Sequence, residues 1–165
     1  MPLSKLSAKQ LSLLLAPLVA LTPFAIDTYL PAMPQMAEYF NRNLADMGIT
    51  ISIYLLGFAL GQLSGGPLSD LYGRRQVAVP GLLMFMLTAL AITQTDSFSA
   101  LVTLRFLQAL GGGFATVVVT PTVRDYFQGR ESAEVFSMIA MIMMLAPLTA
   151  PAVGSVMISF LPWSA

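Results

Sequence analysis

Two charged side chains and one amide stand in stretches that are otherwise apolar: Asp27, Arg105 and Gln108. A charge at mid-bilayer costs at least about 2.5–3.5 kcal/mol on insertion scales, so such a group is normally paired or faces a polar cavity. A carboxylate like that of Asp27 takes up and releases a proton, whereas a guanidinium like that of Arg105 keeps its charge and offers five donors. Gln108 follows Arg105 by three residues and shares its helical face, so its amide can hold the guanidinium directly or through water. With a rise of about 1.5 Å per residue, Asp27 should lie about 5 Å below the boundary of its apolar run, and Arg105, entering from the same side, about 10 Å below it. These depths are compatible with contact, which would set proton exchange beside a fixed cation. The alternative places Asp27 at the headgroup level with Arg105 snorkelling outward.

The elements that must position these groups are membrane spans. Of 165 residues, 56% are hydrophobic and 10% charged, where a soluble domain carries about 25% charged residues. Five stretches are long and apolar enough to cross: 11–30, 44–68, 77–93, 98–120 and 135–161. They lack the alternation of barrel strands, so an all-α membrane bundle is expected. The first run follows Lys5 and Lys9 but has the length of a full crossing and no small-residue cleavage site, so it should remain as a span rather than leave as a signal peptide. Between the first two spans an ordered loop is expected. A short amphipathic turn is the alternative, because Met33, Met36, Ala37 and Phe40 fall at helical spacing. Asn43 followed by Asp46 marks a helix start. Pro17, Pro23, Pro147 and Pro151 lie inside spans and permit bends, while Pro80 reads as a start signal in the first turn of the third span. Gly57, Gly61 and Gly65 recur every fourth residue and form a surface on which another backbone can pack closely.

Composition also excludes chemistry. Without cysteine or histidine there is no thiol catalysis, no disulfide, no zinc site of the usual ligands and no Ser-His-Asp triad; no metal and no cofactor is expected. Eight basic and eight acidic residues cancel, which gives no argument for nucleic acid. Gly111-Gly112-Gly113 follows no strand and lacks a Lys-Ser/Thr ending, so it is not a phosphate loop. Met138, Met141, Met143 and Met144 are expected to face lipid or a neighbouring helix, with a compliant ligand-contacting wall as the alternative. Lys5, Lys9, Arg74, Arg75, Arg124 and Arg130 fall on one side of the spans and Arg42 on the other, which places the N-terminus in the cytoplasm. Trp163 then fits an aromatic anchor at the outer interface.

At the end of the second span, Gly66, Leu68, Asp70, Gly73, Arg74 and Arg75 occupy the six defined positions of G-x-L-x-D-x-x-G-R-[KR], with Leu71 where many members are basic. The segment resembles the loop between the second and third helices of major facilitator superfamily transporters. Leu101-x-x-x-Arg105-x-x-Gln108-Ala109-x-Gly111 is similar to the family's fourth-helix pattern, with Ala109 in a glycine place. Ile26-Asp27-Thr28-Tyr29-Leu30-Pro31 resembles the first-helix signature of drug/proton antiporters of the Bcr/CflA branch. Residues 146–155 resemble the antiporter motif of the fifth helix, G-x-x-x-G-P-x-x-G-G: only Pro151 and Gly154 are identical, Ala146, Ala150 and Ser155 keep the small size of a glycine, and Pro147 falls on an undefined position.

The resemblance implies the N-terminal domain of that fold, with five of the six helices of one half; a sixth helix and the C-terminal half would lie outside the chain. It implies proton-coupled efflux of drug-like molecules across the bacterial inner membrane, driven by the proton gradient. Arg105, with Asp27 and Gln108, would serve coupling. Asp70 would face a helix of the other half while Arg74 pairs with an acid after the fourth span, Asp125, as a cytoplasmic latch. The other reading of this segment is a solvated turn with positive-inside anchors. Tyr29, Tyr54 and Phe58 would be cavity aromatics. Two alternatives stand beside efflux: another symporter or uniporter of the same fold for a small metabolite, and a truncated fragment that does not transport without the missing helices.

Overall fold

The computed structural model describes residues 7–160 and residue 163, which leaves Lys5, Leu161 and Pro162 outside the described residues. Seven helices follow in order: α1 (Ala8–Asp27), α2 (Met33–Tyr39), α3 (Leu44–Tyr72), α4 (Arg74–Ile92), α5 (Phe98–Val117), α6 (Val119–Tyr126) and α7 (Gly129–Phe160), with a 3-10 turn at Leu30–Ala32. No strand occurs among the described residues. Among the described residues, five helical units are long and apolar enough to cross a membrane.

α5 is the central rod. It packs along α3 on one side and α4 on the other, while α1 runs along α7. Half of the most apolar window of the α5–α6 unit is buried, against 22–28% in the other four units. Lipid supplies no hydrophobic drive for this packing, so close backbone approach must do it. Gly57, Gly61, Gly65 and Ser69 are all buried on α3. A Cβ on Gly113 of α5 would meet three atoms of the α3 backbone: the Phe58 carbonyl oxygen at 2.6 Å, and Gln62 N and Gly61 C at 2.9 Å. The Gly111–Gly113 run is thus a contact surface, as its place in an apolar span implies. On α7, Ala146, Ala150 and Gly154 form a buried row, with Gly154 against the backbone of Thr28.

Two apolar cores bracket the middle of the bundle. Leu11, Leu15, Val119, Val123, Val135 and Ile139 cluster toward the end that carries Gly73; Ala32, Met36, Ala37, Met47 and Leu101 cluster toward the α2 end. The segment between the first two spans is helical rather than a loop. Met36 and Ala37 are buried there, so the helical spacing of its apolar residues prevails over the loop expectation. Asn43 accepts from the Asp46 backbone N–H at 2.7 Å, the expected cap of α3.

Several boundaries differ from expectation. α3 continues through Pro67 to Tyr72, and α4 begins at Arg74, so Pro80 lies seven residues in and starts nothing. The fourth span breaks at Val118 before resuming as α6; Pro121 has no N–H to give the Val117 carbonyl four residues back, which weakens the ladder there. Trp163, expected as an interface anchor, stands with its ring against Tyr39 and Phe40 at 5.1 and 5.4 Å between centroids. Met141 and Met144 face outward, whereas Met143 lines a cavity and Met138 sits 3.1 Å from the Ser12 hydroxyl, so the four methionines do not share one environment.

Candidate functional site

Arg105 is 3% exposed at mid-length of α5. Its Nη1 donates to Gln108 Oε1 at 3.0 Å and to the Ala25 carbonyl at 3.2 Å. The second bond follows from where α1 stops. Thr28 N–H bonds to Phe24 and Tyr29 N–H to Ile26, so no following N–H of α1 claims the Ala25 oxygen. The guanidinium thus meets the negative end of a helix dipole. Two aromatic rings complete its setting, with Cζ 4.1 Å from the Tyr29 centroid and 4.5 Å from that of Tyr54. Such cation–π contacts strengthen when desolvated.

Tyr29 is itself fixed. Its hydroxyl lies 2.8 Å from Thr50 Oγ1, and Thr50 spends its one proton on the Met47 carbonyl at 2.6 Å, so Tyr29 must be the donor. Thr50, fully buried on α3, went unread in the sequence because a lone threonine in an apolar helix carries no signal. Tyr54 is 0% exposed and cannot be a cavity wall; it is a platform for Arg105 instead. The structure does not bring Asp27 to Arg105. Among the described residues the ion pairs are Arg74–Asp70 and Arg74–Asp125, and neither includes Asp27. Asp27 ends α1 half-buried, two residues beyond the carbonyl that Arg105 takes.

Cavities lie on either side of this layer. One of about 230 Å³ at the α2 end is lined by Tyr29, Met36, Arg105, Gln108, Gly154 and Trp163, among others. A second of about 430 Å³, toward the Gly73 end, includes Thr22, Phe58, Gln62, Thr116, Phe136 and Met143. Phe58 lines the second space. Pro147 and Pro151 sit inside α7 without breaking it, on either side of Ala150 and ahead of Gly154.

The turn after α3 gathers the second group of charges. Arg74 pairs with Asp70 and donates to Asp125 Oδ2 at 3.5 Å, joining the end of α3 to α6. It also donates to Ser69 Oγ at 2.9 Å, and Ser69 in turn donates to the Gly66 carbonyl at 2.9 Å. Ser69 was missed, although it continues the four-residue period of Gly57, Gly61 and Gly65 and was findable on that ground. Exposed pairs of this kind are worth about 0.2–1 kcal/mol each. Backbone geometry counts for more: Gly73 has φ 99° and ψ 148°, a region open essentially to glycine alone. Gly73→Ala is expected to lower the unfolding free energy by roughly 1–3 kcal/mol, read by denaturant titration in micelles, and equal stability of the variant would mean that the turn relaxes freely.

Five long apolar helices around a buried cation and two cavities define a multi-pass membrane protein. The Major Facilitator Superfamily model matches residues 15–165, and the chain belongs to that family. The chain is 34% identical over 145 residues to a bicyclomycin resistance protein homolog of Haemophilus influenzae, covering 88% of this chain and 36% of that protein. It is 35% identical over 146 residues to the multidrug resistance protein MdtL of Escherichia coli O157:H7, and 36% identical over 146 residues to MdtL of Salmonella typhimurium, each covering 88% of this chain and 37% of the relative. The chain thus spans a little over a third of the length of these relatives.

Proposed function

We propose that this chain is part of a transporter, not an enzyme: a proton-coupled multidrug efflux antiporter of the bacterial inner membrane, with its N-terminus in the cytoplasm. The observation that carries the reading is the 3% exposed guanidinium of Arg105, held at mid-helix beside a cavity where an apolar residue would pack without cost. The names of the relatives, bicyclomycin resistance and multidrug resistance, support drug-like cargo. Both cavities open between helices of this segment, and transport is assigned to the segment together with further helices, in keeping with the share of the relatives that it spans.

In the proposed cycle Asp27 takes a proton from outside as cargo leaves and releases it toward the cytoplasm before the next molecule binds. Arg105 stays charged throughout and sets the field at the end of α1. Since the two side chains are not paired in this conformation, coupling works through the shared helix end: the Ala25 carbonyl holds Arg105, and Asp27 lies two residues on. Asp70, Arg74 and Asp125 serve as the cytoplasmic latch, tightened in one state and released in the other. Arg75 would anchor that face to the membrane surface.

Asp27→Asn in the full-length protein is expected to abolish efflux driven by a pH gradient while binding of drug persists, measured by dye export from everted vesicles. Unchanged pH-driven export would reject Asp27 as the coupling acid.

A further inference from the structure

The guanidinium of Arg105 has one satisfied end and one unsatisfied edge. Nη1 is taken by the Ala25 carbonyl and Gln108, and the Tyr29 and Tyr54 rings lie against the group. Nε and Nη2 are buried and have no hydrogen-bond partner among the described residues. These two nitrogens share one edge of the guanidinium, where their N–H bonds run side by side as the fork that receives both oxygens of a carboxylate. The remaining orphaned buried side-chain atoms are the hydroxyls of Thr22 and Tyr54. Thr22 lies one helical turn before Ala25, and the Tyr54 ring touches the guanidinium, so all of them belong to one layer of α1, α3 and α5. The two hydroxyls lie close enough to bond to each other, which leaves the two guanidinium nitrogens as the unpaired donors. Leaving both unpaired is costly in an apolar bundle, and they are complementary to an anion.

We infer that the Nε/Nη2 edge of Arg105, covered in this conformation, is a binding site for the carboxylate of an organic monoanion that enters the adjoining 230 Å³ cavity and displaces the side chains covering it. One fixed cation matches one negative charge. Ala32, Ala89, Ile92 and Ile158 on the same cavity wall suit an apolar body behind the carboxylate, which disfavours a dianionic phosphate or a bare halide. The inference deepens the efflux reading by adding carboxylate-bearing molecules to the cargo, and rests on that reading only for the molecule's role. Two sources can bring the same chemistry: a ligand from the cavity, or Asp27 after a rearrangement of the end of α1.

The test uses benzoate and its uncharged isostere benzamide, titrated at constant ionic strength into the full-length protein in nanodiscs without a gradient, with binding read from the shift in thermal midpoint. Benzoate is expected to bind at least about tenfold more tightly than benzamide, the advantage of a two-pronged charge-assisted contact. Arg105→Lys keeps the charge without the fork and should lose that preference. Asp27→Asn separates the sources: unchanged benzoate affinity means that the ligand alone uses the fork, whereas a tenfold or greater gain, or binding that appears only in the variant, means that Asp27 competes for it. Benzoate no better than benzamide in both the wild type and Asp27→Asn overturns the site, and that comparison decides even where Arg105→Lys does not fold. Because no gradient is applied, failure to export drugs would leave a positive result standing, and a negative one would leave efflux untouched.

Discussion

Gly113→Leu is expected to destabilise the bundle by about 3 kcal/mol or more, at or beyond the upper end of ordinary overpacking. The reason is the identity of the atoms in the way. The first atom of any side chain at Gly113 meets the Phe58 carbonyl, Gln62 N and Gly61 C, all backbone of α3, and a helix backbone cannot step aside without moving the whole α3–α5 seam. Gly112→Ala is the graded control, since its Cβ would come no closer than 3.3 Å to the Phe85 ring, a side chain able to shift by a few tenths of an ångström. Gly48→Ala should reverse the sign. Nothing lies within 4 Å of its Cβ, so relief of backbone entropy in the helix leaves a gain of roughly 0.5–1 kcal/mol. Unfolding free energies of the three variants in mixed micelles should fall in that order, and a Gly113→Leu protein as stable as wild type would remove close backbone contact as the basis of the seam.

That seam was legible in the sequence because its requirement is size, and size is written residue by residue: Gly57, Gly61 and Gly65 announce a close approach before any partner is known. The turn at Gly73 was legible for the same reason, since a glycine before two arginines at the end of an apolar run has few other uses. The setting of Arg105 was only half legible. Its burial and its bond to Gln108 follow from spacing on one helix, but its remaining acceptor is a backbone carbonyl, which has no letter of its own. The first span was expected to run to Leu30; α1 instead ends at Asp27, and that earlier stop frees the Ala25 oxygen for the guanidinium. The expected partner, Asp27, was reasoned from charge and compatible depth, and both were outweighed by the position of a helix end. The α2 segment shows a similar limit. Its spacing was helical, but only the burial of Met36 against Met47 and Leu101 makes seven residues hold as a helix.

Arg105→Leu is expected to leave the fold intact and reduce efflux to the level of cells without the protein, while Gln108→Leu should cost stability. The two variants differ in what they leave behind. Removing Arg105 takes away two orphaned donors along with the cation, and the Gln108 amide and Ala25 carbonyl that lose their donor are uncharged groups lining a cavity, which cost less to leave unpaired than a buried cation. Removing Gln108 keeps the cation but deletes its 3.0 Å acceptor, so the guanidinium is left with the Ala25 carbonyl and two rings; a hydrogen bond to a charged group is worth roughly 1.5–3 kcal/mol. A residue that lowers stability by its presence and yet abolishes activity by its absence is there for function. Thermal midpoints and drug-resistance profiles measured on both variants and on the double variant separate the cases. If Arg105→Leu proves less stable than Gln108→Leu, the guanidinium is a structural strut between α1 and α5, and the transport role falls to other groups lining the cavities.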